Sequence, residues 1–421
     1  MTRPSRLLCL GLGLALAAGH AGFAAAPFLE KSTVFQAGRG GYAFYRVPGL
    51  VVTAKGTVLS YCEARRTGRS DWENIDLLLR RSTDAGKTWD APRKMASVPG
   101  PHRKNPVALT RGKAAADEVT YSNPVALASR DGTVHFLFCY EFNRCFYTRS
   151  TDDGATFSTP VEFTAALEGF RPAFAWQVVA LGPMHGIELA GGRLVVALWL
   201  ALGTQGSGFQ PSAVATITSD DQGRTWQCGD IAIPPTAEWI NPNSPAVVEL
   251  ADGRVMINTR NESKANRRLV TVSPDGATRW SRPRFDDALP EPICEGSLVR
   301  LSVQSAGSRS RLLFANPRNL ARADGAEAPG KARDRRNLSV HLSYDDGQSW
   351  PAIKSLEPGD AQFSDLGVLP DGTILCLYES GQTEGQLSFA GHNVQFLTLA
   401  RFNLEWLTDG QDSFTPSKLK P

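Results

Sequence analysis

Two short patterns repeat and interleave along this chain, and they limit its fold more than any other feature. In the first pattern a tight turn leads into an apolar, β-branched strand, as where Asp131-Gly132 precedes TVHFLFCYEF. Asp-Gly favours a tight hairpin because both residues tolerate a positive φ. Six such turns occur, about sixty residues apart, which is the length of a four-stranded unit with long loops. They begin at Lys55, Asp131, Gly191, Asp252, Ser308 and Asp371.

The second pattern is a Ser-x-Asp-x-Gly-x-Thr-Trp string that follows each of the first five hairpins. Serine and aspartate side chains can accept or donate within a turn, and glycine permits a positive φ, so we interpret each string as a structural turn. One or two carboxylates in a turn are too few for a calcium site. The copies begin at Ser82, Ser150, Ser219, Ser273 (a degenerate copy) and Ser343.

Together the repeats predict an all-β protein, a six-bladed β-propeller. The sixth hairpin has no copy of the second pattern, which fits a ring whose last blade is completed by the N-terminal strand, leaving no open sheet edge. Helical periodicity is weak, so residues 27–421 are predicted to form a single propeller domain. The net charge of only +3 does not favour nucleic acid as a partner.

The N-terminus has the features of a signal peptide. Arg3 and Arg6 precede an apolar run over residues 7–18, and the small residues Ala24 to Ala26 follow it. The run is too short to span a bilayer comfortably. We therefore expect residues 1–26 to be removed and the mature protein to be secreted or periplasmic, without membrane insertion.

Six cysteines follow that segment, and none has CxxC spacing. This argues against a zinc site, and nothing in the sequence calls for a metal or an organic cofactor. Most of the cysteines lie in apolar strand-like stretches, which favours buried free thiols. A disulfide between Cys139 and Cys145 across a hairpin stays open, because export would permit it.

The second pattern resembles the Asp-boxes of the sialidase (neuraminidase) superfamily, and YRVP at residues 45–48 is similar to that family's Arg-Ile-Pro motif. The resemblance covers nearly all of the predicted mature chain. It implies a sialidase-like Asp-box propeller whose partners are sialylated or other acidic glycans.

In that family three arginines grip the substrate's carboxylate, since guanidinium forks bind carboxylates through two hydrogen bonds. The resemblance implies that Arg46 in YRVP is the first and that Arg260, which ends VMINTR, is the second. Arg335 in RRNLSVHLS is our choice for the third, with Arg336 and Arg318 as alternatives.

The segment EARRTGRSDWENIDLLLRRS resembles the region that carries the family's acid/base residue. The resemblance implies that Asp71 protonates the leaving oxygen, and that Arg65 and Glu63 support the substrate pocket. Asp76 is a close neighbour, but it begins an apolar strand and is expected to face solvent or to cap a turn.

Two residues depart from the family's pattern. The family's tyrosine nucleophile stands before a Ser-Asp-Leu string, where this chain has Phe363, and its partner glutamate corresponds to Ser244. Their joint loss indicates a changed mechanism or a lost activity. His185 in GPMHGIEL is a candidate base or acid, and Gln362 is a candidate for orienting a water.

These residues leave three hypotheses for function. The first is an exo-sialidase that hydrolyses terminal α-linked sialic acid by an atypical mechanism without a tyrosine nucleophile. The second is a hydrolase of a related 2-keto acidic sugar. The third is a lectin-like propeller without turnover. Asp71 favours an enzyme because a carboxylate adds nothing to anion binding, whereas the loss of the tyrosine and glutamate favours the lectin.

Overall fold

A computed structural model describes residues 25–68, 70–98, 100–304, 309–321, 334–381, 388–389 and 392–414. The signal peptide predicted for residues 1–26 lies almost wholly outside the described residues, because residues 1–24 are not among them. No helix in the described ranges is long and apolar enough to cross a membrane.

The regular secondary structure of the described residues is almost entirely β-strand. Its helical segments are α1 (Pro106–Thr110), the 3-10 helix Thr164–Phe170 and α2 (Leu404–Leu407). The strands are β1 (Leu29–Gln36), β2 (Phe44–Val52), β3 (Val58–Arg65), β4 (Ile75–Ser82), β5 (Arg93–Lys94), β6 (Tyr121–Ala128), β7 (Val134–Tyr140), β8 (Arg144–Ser150), β9 (Val161–Glu162), β10 (Val178–Leu181), β11 (Met184–His185), β12 (Ile187–Glu188), β13 (Leu194–Gln205), β14 (Gln210–Ser219), β15 (Gln227–Ile233), β16 (Asn243–Glu249), β17 (Val255–Arg260), β18 (Arg267–Ser273), β19 (Arg284–Pro290), β20 (Ser297–Ser302), β21 (Arg311–Pro317), β22 (Arg336–Ser343), β23 (Ala352–Val368), β24 (Ile374–Ser380), β25 (Ser388–Phe389), β26 (His392–Asn393) and β27 (Phe396–Phe402).

The larger sheets are the blades of a propeller, so the all-β propeller prediction is confirmed. Four of them have the orders β2-β3-β4-β5, β11-β6-β7-β8-β9, β10-β13-β14-β15 and β16-β17-β18-β19. The fifth has seven strands in the order β1-β27-β24-β23-β22-β21-β20. The described sheets therefore differ from six separate blades. The reason is β23, whose first half pairs with β22 and whose second half pairs with β24, so that two four-stranded groups share one strand.

The N-terminal strand completes the last blade, as the sequence predicted. β1 pairs antiparallel with β27, from Leu29 opposite Phe402 to Gln36 opposite Phe396. The innermost strands contact one another in chain order, and β2 contacts both β6 and β23, which closes the ring. The buried apolar side chains form clusters between neighbouring blades, as where Leu50 packs with Leu377.

The repeats decide which face of the ring is available for a site. The predicted hairpins join the first strand of a blade to the second, and the Asp-boxes follow the third strand. Because the strands are antiparallel, both kinds of turn lie on the same face of the ring. The loops between second and third strands, and those between blades, are therefore gathered on the opposite face.

Each Asp-box is a closed turn held by its own side chains, which supports the structural interpretation. In the second box Gly154 N donates to Ser150 Oγ at 2.9 Å, and Thr156 N and Oγ1 donate to Asp152 at 2.8 and 2.6 Å. The corresponding bonds from Thr88, together with that from Ser82, lower the pKa of Asp84 to about 2. No group of metal-binding side chains occurs among the residues that the structure describes.

Asp275→Ala is expected to lower the free energy of unfolding by about 2 kcal/mol, as measured by urea denaturation. The reason is that the Asp275 carboxylate accepts four hydrogen bonds, from Ser273, Ala277 and Thr278. Burial acts to raise the pKa of Asp275, but these donors hold it below its ordinary value. Its contribution is thus present above its unfolded pKa and is lost as pH falls through its lower folded pKa, so the stabilities of variant and wild type should begin to converge below pH ~4. Asp220→Ala is the control, since exposed Asp220 pairs with Arg193 alone among the described residues; equal losses in both variants would contradict the assigned role.

The six cysteines of the described residues are free thiols. Cys139 and Cys145 are opposite each other in the β7–β8 hairpin, with their sulfur atoms 3.7 Å apart. A disulfide bond measures about 2.05 Å, so the two side chains are in contact without being bonded.

Candidate active site

A pocket of about 370 Å³ opens on the face opposite the Asp-boxes. Its residues come from the first strands, from the ends of the second strands and from the loops of that face. It is lined by Arg46, Val47, Glu63, Arg65, Asp71, Asn123, Phe142, Pro183, Trp199, Ser207, Phe209, Gln210, Asn243, Ser244, Arg260, Glu262, Pro292, Ile293, Arg335 and Phe363. The structure thus brings together Arg46, Arg260, Arg335, Arg65, Asp71 and Phe363, which the sequence had selected.

The guanidinium of Arg46 is bound at two points by a buried carboxylate, that of Glu379. Its Nε and Nη2 donate to Glu379 Oε1 and Oε2 at 3.1 and 3.0 Å, and Val47 N donates to the same carboxylate. Glu379 is fully buried. This two-point ion pair fixes the plane of the Arg46 guanidinium at the pocket surface.

Arg335 is the third arginine of the pocket, in preference to Arg336, which pairs with Asp334 outside the pocket lining. Its Nη1 donates to Gln362 Oε1 at 3.0 Å and its Nη2 donates to Ile293 O at 2.6 Å. Burial lowers the pKa of Arg335, and repulsion from other pocket arginines adds to this effect. Neither acceptor carries a charge, so an anionic ligand would relieve that repulsion.

Arg260 lacks an acceptor for its guanidinium among the described residues. It ends β17 at the pocket wall, and its Nε is buried without a hydrogen-bond partner. A buried N–H group without an acceptor costs free energy, which an acceptor supplied by a ligand would recover. Three guanidinium groups around one cavity therefore make a site for a carboxylate.

Asp71 and Glu63 share Arg65, whose Nη1 and Nη2 donate to them at 2.6 Å each. Asp71 is in the loop after β3, and 41% of its side chain is exposed. Burial acts to raise the pKa of Asp71, but attraction to Arg65, Arg46 and Arg260 outweighs it and lowers the pKa below its ordinary value. For Glu63, burial is dominant and raises the pKa.

The two substituted positions lie in the pocket beside the arginines. The ring of Phe363 is 5.2 Å from the guanidinium carbon of Arg46 and 5.4 Å from that of Arg335. Ser244 adopts φ 48° and donates from Oγ to Asn243 Oδ1 at 3.1 Å. An apolar ring thus occupies the position of the family's tyrosine nucleophile, and a short hydroxyl side chain occupies the position of its partner glutamate.

Gln362 is not placed as a water-orienting residue. Only 2% of it is exposed, it does not line the pocket, and its Oε1 accepts the hydrogen bond from Arg335. The β23–β24 register shifts between Ala361 and Ser364, and within this irregular stretch Phe363 lines the pocket while Gln362 does not. Gln362 acts by positioning Arg335.

His185 is likewise not brought to the pocket, which corrects the prediction that it acts there as base or acid. Pro183, just before β11, lines the pocket. His185, at the end of β11, lies two residues nearer the opposite face, where it lines a separate cavity of about 500 Å³. Its Nδ1 is 2.7 Å from Asp365 Oδ1, which also accepts from Ser297 Oγ. Burial acts to lower the pKa of His185, but Asp365 raises it above the ordinary value. The pair of His185 and Asp365 links β11 to β23.

Glu379, Glu262 and the aromatic residues Phe142, Trp199 and Phe209 were not predicted from the sequence, although a signal for Glu379, Glu262 and Trp199 was present. Counting seven residues from the glycine of a hairpin gives Glu63, Trp199, Arg260 and Glu379, and counting nine gives Arg65 and Glu262. Five of these line the pocket and Glu379 binds a lining residue. Two other carboxylates, Glu295 and Glu238, do not line it: Glu295 is fully buried, and Glu238 is exposed and paired with Arg282.

An Asp-box propeller whose pocket holds Arg46, Arg260 and Arg335 beside the carboxylate-bound Arg65 defines the class of this protein. The model of the BNR repeat-like domain family matches residues 113–376, and the chain belongs to that family, within the sialidase superfamily. A sialidase of Micromonospora viridifaciens is 28% identical over 407 residues, which cover 90% of this chain and 55% of that relative. A sialidase of Bacteroides fragilis is 28% identical over 364 residues, covering 82% and 62%. The chain thus spans less than two thirds of the length of these two relatives.

Solved structures of low identity share the fold. The Hadza microbial sialidase Hz136 has a TM-score of 0.67 at 23% identity, with 90% of this chain and 69% of that chain covered. The leech intramolecular trans-sialidase has a TM-score of 0.69 at 16% identity, with 90% and 71% covered.

Proposed function

We propose that this protein is an exo-sialidase, a glycoside hydrolase that releases terminal α-linked sialic acid from glycoconjugates without a tyrosine nucleophile. The observation that carries the proposal is the Arg260 guanidinium, whose buried Nε has no hydrogen-bond partner among the described residues, at the wall of a pocket that also presents Arg46 and Arg335. A sugar with a carboxylate beside its anomeric carbon supplies the anion that this arrangement lacks. The names of the sialidase relatives support the same substrate class.

The groups of the pocket support direct attack by water. Asp71 lines the cavity, where it can protonate the leaving oxygen. In the empty pocket the positive charges of nearby arginines lower its pKa. Phe363 has no nucleophilic atom, and the short Ser244 leaves room on the pocket floor. Water that attacks opposite to the leaving group inverts the anomeric centre. The predicted signal peptide adds a secreted or periplasmic location to the proposal.

The lectin-like alternative is favoured by one observation, namely that both members of the usual nucleophile pair are replaced, by Phe363 and Ser244. Such a pocket would hold an acidic sugar without cleaving it. A hydrolase of a related 2-keto acidic sugar would use the same arginines on a substrate of different shape.

Proton NMR during digestion of sialyl-lactose separates these functions. Early appearance of free β-sialic acid is the expected result, because inversion of an α-glycoside gives the β-anomer first. Early α-anomer would mean retention and would overturn direct water attack. If no sugar is released while saturation-transfer signals show binding, the lectin is correct; if sialyl-lactose neither binds nor reacts, other 2-keto acid glycosides replace it as candidates.

A further inference from the structure

We infer that Lys104, a buried residue outside the pocket lining, positions the acid Asp71 by binding the main chain of the next residue, Trp72; this rests on the proposed hydrolase function. Lys104 precedes α1, in the connection between β5 and β6. Its Nζ donates to Trp72 O at 2.6 Å, to Thr120 Oγ1 at 2.7 Å and to Glu118 O at 3.1 Å. The carbonyl that Lys104 binds therefore belongs to the residue directly after the acid.

A buried carboxylate pairs with the ammonium of Lys104. Glu141 Oε2 is 3.0 Å from Lys104 Nζ, and both side chains are buried. Burial lowers the pKa of Lys104, and attraction to Glu141 opposes this effect. Thr120 N donates to Glu141 Oε1 at 2.7 Å, so the carboxylate is itself fixed in place. A charged donor makes a stronger hydrogen bond than a neutral one, so Lys104 fixes the Trp72 carbonyl more firmly than a hydroxyl alone would.

The indole of Trp72 is held by the loop between β13 and β14. Its Nε1 donates to Ser207 O at 2.9 Å, and its ring stacks on Phe209 with the ring centroids 4.9 Å apart and the planes 7° apart. The packing here is close, because a Cβ atom added at Gly208 would lie 2.7 Å from Val107 Cγ1. Trp72 is thus fixed through its side chain by one blade and through its carbonyl by Lys104.

The acid itself needs this support because it lies in a loop and is partly exposed. Asp71 follows β3, 41% of its side chain is exposed, and its carboxylate accepts from Arg65 Nη1 at 2.6 Å. Arg65 thus fixes the carboxylate, and the bonds to Trp72 fix the main chain that carries it. A catalytic group that moves by about 1 Å can lose about 100-fold in rate. The ion pair of Lys104 and Glu141 is therefore expected to affect proton donation to the leaving oxygen.

Lys104→Met combined with Glu141→Gln tests the inference, because it removes the ion pair without leaving a buried charge. We expect kcat on sialyl-lactose to fall about 100-fold. On an aryl α-sialoside, whose good leaving group does not need the acid, kcat should stay within about threefold of wild type. In an Asp71→Asn background the same two changes should lower sialyl-lactose turnover no further, since the residue that they position has already lost its function.

Thr120→Val is a milder variant that tests the same contact if the double variant does not fold. Thr120 Oγ1 donates to Trp72 O at 2.8 Å, and valine keeps the shape of threonine without that donor. We expect sialyl-lactose turnover to fall about tenfold, with aryl α-sialoside turnover and the affinity for free sialic acid unchanged.

Arg311→Met combined with Asp412→Asn is the matched control, because it removes a buried ion pair at the start of β21, on the Asp-box face. It should lower the melting temperature without changing the ratio of kcat on the two substrates. Equal losses on both substrates, wild-type turnover of sialyl-lactose, or a further loss in the Asp71→Asn background would mean that Lys104 supports only the fold, with the hydrolase still in place. A wild-type protein that releases no sugar from any carboxylated glycoside would instead refute the proposed function, and the role of Lys104 with it.

Discussion

Arg260→Ala is expected to weaken binding of free sialic acid about 1000-fold while the fold stays intact. A guanidinium that grips a carboxylate makes two charged hydrogen bonds, whose loss costs about 4 kcal/mol, or roughly three powers of ten in Kd. The variant should be at least as thermostable as wild type, because Arg260 has a buried Nε without a partner and its removal leaves no protein group stranded. Arg46→Ala would be a poorer test, since it would strand the buried carboxylate of Glu379.

Isothermal titration with sialic acid, together with a thermal melt, measures both effects. Arg260→Lys keeps the charge but loses the two-point fork, so its affinity should lie between those of wild type and the alanine variant. Arg282→Ala removes an arginine that is 78% exposed and outside the pocket, and it should bind as wild type does. Wild-type affinity in Arg260→Ala would remove this residue from the carboxylate site.

The repeats predicted the propeller and its closure because they act locally. A hairpin glycine and a Ser-x-Asp-x-Gly box each specify a turn through neighbouring residues, and the missing sixth box indicated that β1 completes the ring. The number of separate sheets could not be predicted from these local turn signals. Whether β23 continues from one blade into the next depends on pairing with both β22 and β24, which no short sequence pattern records.

The candidate site could be predicted where a residue's place is fixed by distance from a turn. Arg260 and Glu379 each lie seven residues after a hairpin glycine and reach the same depth of the ring. His185 and Gln362 were misjudged because their motifs gave proximity along the chain without depth or side-chain direction. Gln362 is one residue before Phe363, which lines the pocket, but its side chain binds Arg335 instead. His185 is two residues after Pro183, which lines the pocket, but it lines the separate cavity near the opposite face.

Asp71→Asn is expected to lower kcat on sialyl-lactose about 1000-fold while sparing an aryl sialoside, because only a poor leaving group needs the proton that Asp71 supplies. An acid must carry its proton, so activity should fall as pH rises through its pKa. In the empty pocket Arg65, Arg46 and Arg260 lower the pKa of Asp71. A bound substrate carboxylate offsets the attraction of Arg46 and Arg260, which raises that pKa.

The alkaline limb of the pH profile should therefore lie at higher pH for kcat, which reports the complex, than for kcat/KM, which reports the free enzyme. In Asp71→Asn this limb should disappear from the residual turnover of sialyl-lactose. Asp76→Asn is the matched control, since the carboxylate of Asp76 binds Tyr42, Arg66 and Lys94 outside the pocket. An unchanged limb in Asp71→Asn, or an equal loss of sialyl-lactose turnover in Asp76→Asn, would mean that the leaving oxygen takes its proton from another group. In that case the short bond between Asp71 and Arg65 would serve to position Arg65 in the pocket wall.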